Sequence, residues 1–467
     1  DGPLDVPAFK AALHDIVVRH PALRSTISED GSTQSFHPSP KAIDLMEHDF
    51  ATPNDDPDAP SSALPLGLLK MAESSTPFDL THGPLLRLHL VRLSTKRHEL
   101  IFTAHHIICD GWSFGMIIAE LGTAYNARKK GHLPMLLPAM SFADYARHEA
   151  ATKDSEEKTS AEAFWITKFA EAAPVLEIPT DRPRPQVQSY HGAMESITLD
   201  ADRYERLKKA APKLGGTMFA TLLSSFATLL HRLSSQEDIV IGVPAAGQTR
   251  IGRDELIGHC LNFLPLRLRP TSSVPFNTFA SEVKEQVLEA YDHQNYTFGS
   301  LLQKIQVNRD SGRVPLVSVI FNIDKTGADH VVFDDLNIDI ATNPKQFVNF
   351  DLFFNLVQTD DKLVVECEYN TDLHDASTIQ GWLAAYEQLI ESEINAPDLA
   401  LGSLEIVGGG QHKKLLQQWN ATEAPITTPA SIHRTIEAQV DLTPDAIALH
   451  SSPKSLTYRE VAESRHA

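Results

Sequence analysis

Leu100-Ile101-Phe102-Thr103-Ala104-His105-His106-Ile107-Ile108-Cys109-Asp110-Gly111-Trp112-Ser113 is the stretch on which the fold turns. Its first five residues close a hairpin. Leu86, Leu88 and Leu90 alternate with Arg87, His89 and Val91, Ser94-Thr95-Lys96-Arg97 turns the chain, and residues 100–104 return. A pair of histidines then stands at the strand end, followed by Asp-Gly. Successive strand residues point to opposite faces, so only one of His105 and His106 can line a cavity while strand geometry holds. Gly111 permits a tight turn and close approach of a substrate. Ser113 can cap the following helix, which turns Ile117, Ile118, Leu121 and Tyr125 inward and stops at Lys129-Lys130-Gly131. A neutral imidazole is suited to taking a proton from an amine or hydroxyl nucleophile, and Asp110 could hold the loop by pairing with an arginine. The two histidines diverge and no third ligand sits at metal spacing, so no metal site is expected.

Outward from this stretch, the chain opens with a helix. Asp5 suits its N-cap and Pro7 its first turn, Phe9, Ala12, Leu13, Ile16 and Val17 form one apolar stripe, and Arg19-His20-Pro21 ends it. Residues 39–76 have the composition of a loop. A helix is expected near 160–172, and 178–185 is a Pro-rich connector. The second half repeats the same element types. A buried amphipathic helix carries Met218, Leu222, Leu223, Phe226, Leu229 and Leu230, and strand-like runs fall at 239–243, 317–323, 350–357 and 363–369. Two α/β lobes of similar build follow from this pattern. After residue 408 come a short helix at 411–419, a turn-rich stretch, a helix at 430–440 and a small strand pair.

The 467 residues carry 41 Lys+Arg against 61 Asp+Glu, a net charge of −20, which disfavours polyanionic partners such as nucleic acid or an anionic membrane. No apolar run is long enough to span a bilayer. Cys109, Cys260 and Cys367 are too few and scattered for a disulfide framework, which fits a reducing, cytoplasmic setting. The start at Asp1-Gly2-Pro3 has no signal peptide and reads as that of a fragment. Gly408-Gly409-Gly410 lacks the following Lys-Ser/Thr of a phosphate loop, and a GxSxG elbow is missing.

Residues 105–113 resemble the HHxxxDGWS signature of condensation domains in nonribosomal peptide synthetases. Five further stretches resemble that family's motifs in order: Arg19-His20-Pro21-Ala22-Leu23-Arg24, Ser141-Phe142-Ala143-Asp144-Tyr145-Ala146, residues 257–265 with Gly258-His259-Cys260-Leu261-Asn262, His293-Gln294-Asn295-Tyr296-Thr297-Phe298, and Arg309-Asp310-Ser311-Gly312-Arg313. The family's first motif, ahead of Arg19, has no room. The wording at 259–265 and 296–302 looks more like the hybrid subtype, which takes a polyketide-derived acyl donor.

The resemblance implies an α/β fold of two chloramphenicol-acetyltransferase-like lobes, a V-shaped pseudo-dimer with the active site in a central tunnel. The lobes are expected at 1–180 and 181–407, a linker at 408–430, and the start of an adenylation domain at 431–467, without ATP chemistry in this chain. It also implies amide formation between an acyl thioester on an upstream carrier protein and an aminoacyl thioester on a downstream one. The substrates ride on the carriers' 4'-phosphopantetheine, and no cofactor is bound to the chain itself. By motif position His106 is the base or amine-orienting group and His105 is structural. Asp110 pairs with an arginine, Arg19 first and Arg24 second. Gly111 lies beside the reacting centre, and Trp112, Ser113 and Asn262 line the tunnel. The rivals are an epimerisation-type relative and a catalytically silent platform that recruits carriers or a tailoring enzyme.

Overall fold

A computed structural model describes residues 1–40, 44–307, 310–325, 331–359, 361–423 and 431–464. Arg309 of the last motif and part of the expected linker, 424–430, lie outside the described residues. The chain divides into two compact units, 1–408 and 409–467.

The first unit is built around two large apolar cores, with a small third cluster at Val91, Leu93 and Ile101. In the first, the helix Val6–Arg19 packs along the helix Gly111–Lys129 over a three-stranded sheet. The strand Leu45–Asp49 runs parallel to Leu86–Arg92, which pairs antiparallel with His98–Ala104 as the hairpin pattern requires. Phe9, Leu13, Ile16, Leu88, Leu90, Ile117 and Tyr125 form this core. The reading of 39–76 as loop is corrected: it holds the strand Leu45–Asp49 and the helix Pro60–Ser75. Leu64, Leu68 and Met71 of that helix keep helical spacing but are exposed, whereas Leu66 and Leu69 pack against Val91, Leu93 and Ile101. The helix is held partly by buried Glu73, which pairs with Arg87 and His89 of the sheet.

The second core lies on a six-stranded mixed sheet. Its order is Gly192–Leu199, Leu363–Asn370, Leu352–Gln358, Val319–Lys325, Ile239–Ala246, Leu261–Leu268. The helix Met218–Ser234, amphipathic by its sequence pattern, is buried from Ala220 to His231 on every side. Its polar positions survive there because Ser224, Ser225 and Thr228 each donate to the carbonyl four residues back, at 2.7, 3.0 and 2.8 Å. The helices Phe276–Asp292, with Phe276, Phe279, Ala280, Val283 and Val287 at helical spacing, and Ala376–Asn395 pack against it.

The two cores exchange residues across the expected 180/181 boundary. Trp165, Phe169, Leu176 and Ile178 belong to the second core, whereas Ile257 and Phe333 are inserted into the first. The second half therefore reaches into the first through two segments, one of them the loop that carries residues 251–260.

The second unit comprises the helix Gly409–Lys413 with a wider turn at Lys414–Gln418, then the helix Ile432–Leu442, the hairpin Ile447–Ser451/Lys454–Thr457 and the helix Tyr458–Glu463. The last helix opens with a reciprocal capping box between Thr457 and Glu460. The helices Ile432–Leu442 and Tyr458–Glu463 bury no residue, as expected of a stretch too short to hold a core of its own.

Candidate active site

Strand geometry ends at Ala104, and the next two side chains part company. His105 turns into the first lobe. Its Nδ1 accepts from the Ile107 amide at 3.1 Å, and its ring stands edge-on to Phe78 at 5.8 Å. Burial, with His106 beside it, lowers its pKa below the ordinary imidazole value. His106 is exposed and faces the second half of the chain, where its Nδ1 lies 3.1 Å from Nδ1 of His259. The divergence read from the sequence thus separates a packed imidazole from an open one.

Asp110 organises the turn between them. It is the N-cap of Gly111–Lys129 and is 2% exposed. Its Oδ1 accepts from the Ser113 amide at 2.8 Å and the Ser113 hydroxyl at 2.7 Å. Gln248 Nε2 reaches both oxygens, at 3.2 and 3.0 Å, and the Cys260 amide donates to Oδ2 at 3.0 Å. One buried carboxylate is therefore satisfied by neutral donors from both halves of the chain, and each charge-assisted bond contributes about 1.5–3 kcal/mol.

The expected Asp110–arginine pair is a correction. Arg19 instead grips Glu120, with three contacts of 3.0–3.1 Å, and His20 Nε2 meets the same carboxylate at 2.6 Å. Glu120 lies about 15 Å further along the helix than Asp110. Burial pushes its carboxyl up, but the bonds from His20 and Arg19 outweigh that and hold it below the usual value. Arg24 donates to the carbonyls of Val17 (2.8 Å), Val18 (3.2 Å) and His37, neutralising the C-terminal end of the first helix. Both arginines fix the first helix; neither reaches the turn.

Two further expectations change. Ser113 does not cap the helix, because Asp110 does; Ser113 is fully buried, and its Oγ also accepts from the Gly258 amide at 3.1 Å. It fastens the seam rather than lining a passage. Asn262 spends its whole amide on main chain: Nδ2 donates to Gln294 O (2.9 Å) and Tyr296 O (3.0 Å), and Oδ1 accepts from the Phe298 amide (2.9 Å). Its job is to shape the 294–298 loop. Trp112 is 39% exposed and donates from Nε1 to Asp254 O at 2.9 Å, so its ring stands at the seam. Gly111 is exposed, and a Cβ added there meets nothing within 4 Å, which leaves open space at the start of the helix.

Gly258 shows how tightly the loop is seated. A Cβ at this position would come within 2.1 Å of the Phe142 ring. Tyr145 lies near the same loop, and a Cβ on Gly247 would approach its hydroxyl to 3.0 Å. Burial raises the Tyr145 phenol to about 12 and the Cys109 thiol to about 12, so neither ionises near neutrality. Cys260 is pushed up as well, and no cysteine here serves as a nucleophile. Among the described residues no three His, Cys, Asp or Glu side chains gather as a metal site.

Comparison with known proteins settles the family. A family model described as Condensation domain matches residues 1–416. The chain belongs to the condensation-domain family. It is 34% identical to malpibaldin synthetase of Mortierella alpina over 98% of its own length, but it covers 8% of that protein. It is 30% identical to tyrocidine synthase 3 of Brevibacillus parabrevis over 99% of its length, covering 7% of that one. The chain thus spans only a small part of the curated relatives it matches. A four-domain nonribosomal peptide synthetase superposes with a TM-score of 0.78 at 21% identity, covering 96% of this chain and 34% of that one, which shows the shared fold. The X-domain of teicoplanin biosynthesis, solved in complex with OxyB, superposes with a TM-score of 0.74 at 26% identity, covering 87% of this chain and 89% of that one. The chain has the chloramphenicol-acetyltransferase-like α/β fold of condensation domains, which are acyltransferases that form amide bonds. No helix among the described residues is long and apolar enough to cross a membrane.

Sequence reasoning missed Gln248 and paid His259 no separate attention. His259 sits in a recognised motif, beside a glycine and just before a strand, which was a usable signal. Gln248 carried none, because a neutral amide becomes telling only once the buried carboxylate it serves is located.

Proposed function

We propose that this condensation domain joins an acyl thioester held on an upstream carrier protein to the amine of an aminoacyl thioester held on a downstream carrier. The amine nitrogen attacks the donor carbonyl, a C–N bond forms, the C–S bond breaks, and the donor carrier's pantetheine thiol leaves with the proton lost by the amine. His106 accepts that proton or orients the amine through its hydrogen-bonding nitrogen, and holding two tethered reactants together supplies a large part of the rate. The observation that carries this reading is the open imidazole of His106 at the seam of the two halves, on a turn locked by the buried Asp110.

The carriers supply the 4'-phosphopantetheine arms, and residues 431–467 open an adenylation domain in cis. Supporting the latter, similarity to peptide synthetases extends over 98% of the chain, whereas the condensation model ends at 416. We further infer two lobes divided near residue 180, with residues 165–178 packing on the second core, and a donor that is peptidyl or polyketide-derived. The likeness to an X-domain crystallised with OxyB favours one second reading, a platform that recruits partners without catalysis.

Mass spectrometry of the downstream carrier, after mixing with a panel of loaded donors, tests the proposal with wild type against His106→Ala. Amide with wild type and little with the variant supports it. No amide with either points to the platform, and full rate in the variant removes His106 from the chemistry. Exclusive use of aminoacyl donors removes the hybrid assignment.

A further inference from the structure

We propose that His259 is a positioning residue that fixes the tautomer of His106, leaving the Nε2 lone pair of His106 free for the acceptor amine. This rests on the reading of His106 given above. The two Nδ1 atoms are 3.1 Å apart, and the rings meet edge to face at 5.1 Å and 81°. A neutral imidazole has one N–H and one bare nitrogen, so one hydrogen lies between the two Nδ1 atoms and belongs to one ring. If it belonged to His259, His106 would carry its own hydrogen on Nε2 and could not take a proton there. If it belongs to His106, the Nδ1–H donates to His259 and Nε2 is bare. When His106 takes up a proton at Nε2, its Nδ1–H bond to His259 persists and stabilises the imidazolium. In serine hydrolases a carboxylate does this work; here a second imidazole stands in that place.

The backbone around His259 is built to hold this contact. The Gly258 amide donates to the Ser113 hydroxyl oxygen at 3.1 Å, and the Cys260 amide donates to Asp110 at 3.0 Å. The residues on either side of His259 are therefore fastened to the same Asp110–Ser113 cap that seats the His106 turn. The two rings come together through one clamp rather than by independent loops. The environment also keeps His259 uncharged. Loss of hydration on its protein side and the neighbouring His106 pull its pKa below the ordinary imidazole value, and this outweighs the opposing pull of Asp110.

The test is 15N NMR of histidine-labelled protein, with His106 assigned by its loss in His106→Ala, alongside amide formation at saturating loaded carriers. Wild-type His106 is expected as the Nδ1–H tautomer. In His259→Ala it shifts toward Nε2–H, and the saturated rate falls about a hundredfold with KM for the acceptor carrier little changed. In His259→Asn the side-chain oxygen accepts from Nδ1–H, so the tautomer is kept and the rate stays within about tenfold of wild type. An Nε2–H tautomer in wild type, an unchanged tautomer in His259→Ala, or equal losses in the Ala and Asn variants would each overturn the proposal. The tautomer is read without turnover, so a failed role for His106 itself, seen as full rate in His106→Ala, is told apart from a failed role for His259.

Discussion

Replacing Gln248 by glutamate probes the seam at its most exacting point. Gln248 Nε2 sits 3.2 and 3.0 Å from the two oxygens of Asp110, and both residues are buried. Gln248→Glu keeps the shape but exchanges the donor for an acceptor. Two carboxylates at that distance repel by about 5 kcal/mol at an effective dielectric of about 20. The pair avoids this by keeping one proton, so the folded-state pKa of the introduced glutamate rises above its unfolded value of about 4.3. A raised pKa means that its contribution is intact below the unfolded value and is lost as pH climbs through the folded one. At about pH 4 the protonated glutamate donates to Asp110 as the amide did, and the variant approaches wild-type stability. By about pH 8 its deficit should reach about 4–5 kcal/mol. Gln248→Met is the control: it removes the donor without adding charge and should cost about 1–3 kcal/mol at every pH. Urea unfolding followed by tryptophan fluorescence across this range gives both curves. A deficit for Gln248→Glu that does not grow with pH would refute a carboxylate held at the seam by neutral donors.

Other outcomes follow from the same geometry. His106→Ala should lower single-turnover amide formation by about 10²- to 10⁴-fold, while the melting temperature barely moves, because the ring is exposed and holds no core contact. Gly258→Ala places a methyl group 2.1 Å from the Phe142 ring and should destabilise by about 1–3 kcal/mol in chemical denaturation, with activity lost as the loop is displaced. Glu393 is wholly buried against Ser225 Oγ at 2.5 Å, and burial raises its carboxyl to about 8. Its raised value means that the contribution of this one group to stability is fully present below pH ~4.5 and declines by about 4–5 kcal/mol as pH rises to about 8. Glu393→Gln should flatten that slope in urea titrations.

How far the sequence could be read follows from the range over which each signal acts. The hairpin at 86–104 and the first helix were legible because their apolar spacing is local, even though Leu88–Val91 of the hairpin are buried on both faces. The helix Pro60–Ser75 was harder to read: Leu64, Leu68 and Met71 face solvent, of its leucines only Leu66 and Leu69 pack inward, and Glu73 ties it to Arg87 of the sheet. The same limit governs the site. His106 was found because its neighbours in sequence are also its neighbours in the turn. The partner of Asp110 was misassigned because nothing in the sequence says which distant polar group reaches a buried carboxylate. Arg19 and Arg24 were plausible by charge, yet Glu120 and the carbonyls of the first helix claim them.

That misassignment bears on how the site works. An arginine beside Asp110 would have made the clamp a buried ion pair, whose attraction is set against a large cost of taking two charges out of water. Gln248, the Cys260 amide and the two Ser113 donors instead divide the carboxylate among modest bonds, all made by uncharged groups that desolvate more cheaply than a guanidinium. The turn is then fixed by direction rather than by charge, since each donor must point along its bond. The negative charge of Asp110 is left uncancelled by any cation of the clamp, and it lies within electrostatic reach of His259. The clamp thus holds the His106 turn through directed neutral donors, with no guanidinium among the described partners of Asp110.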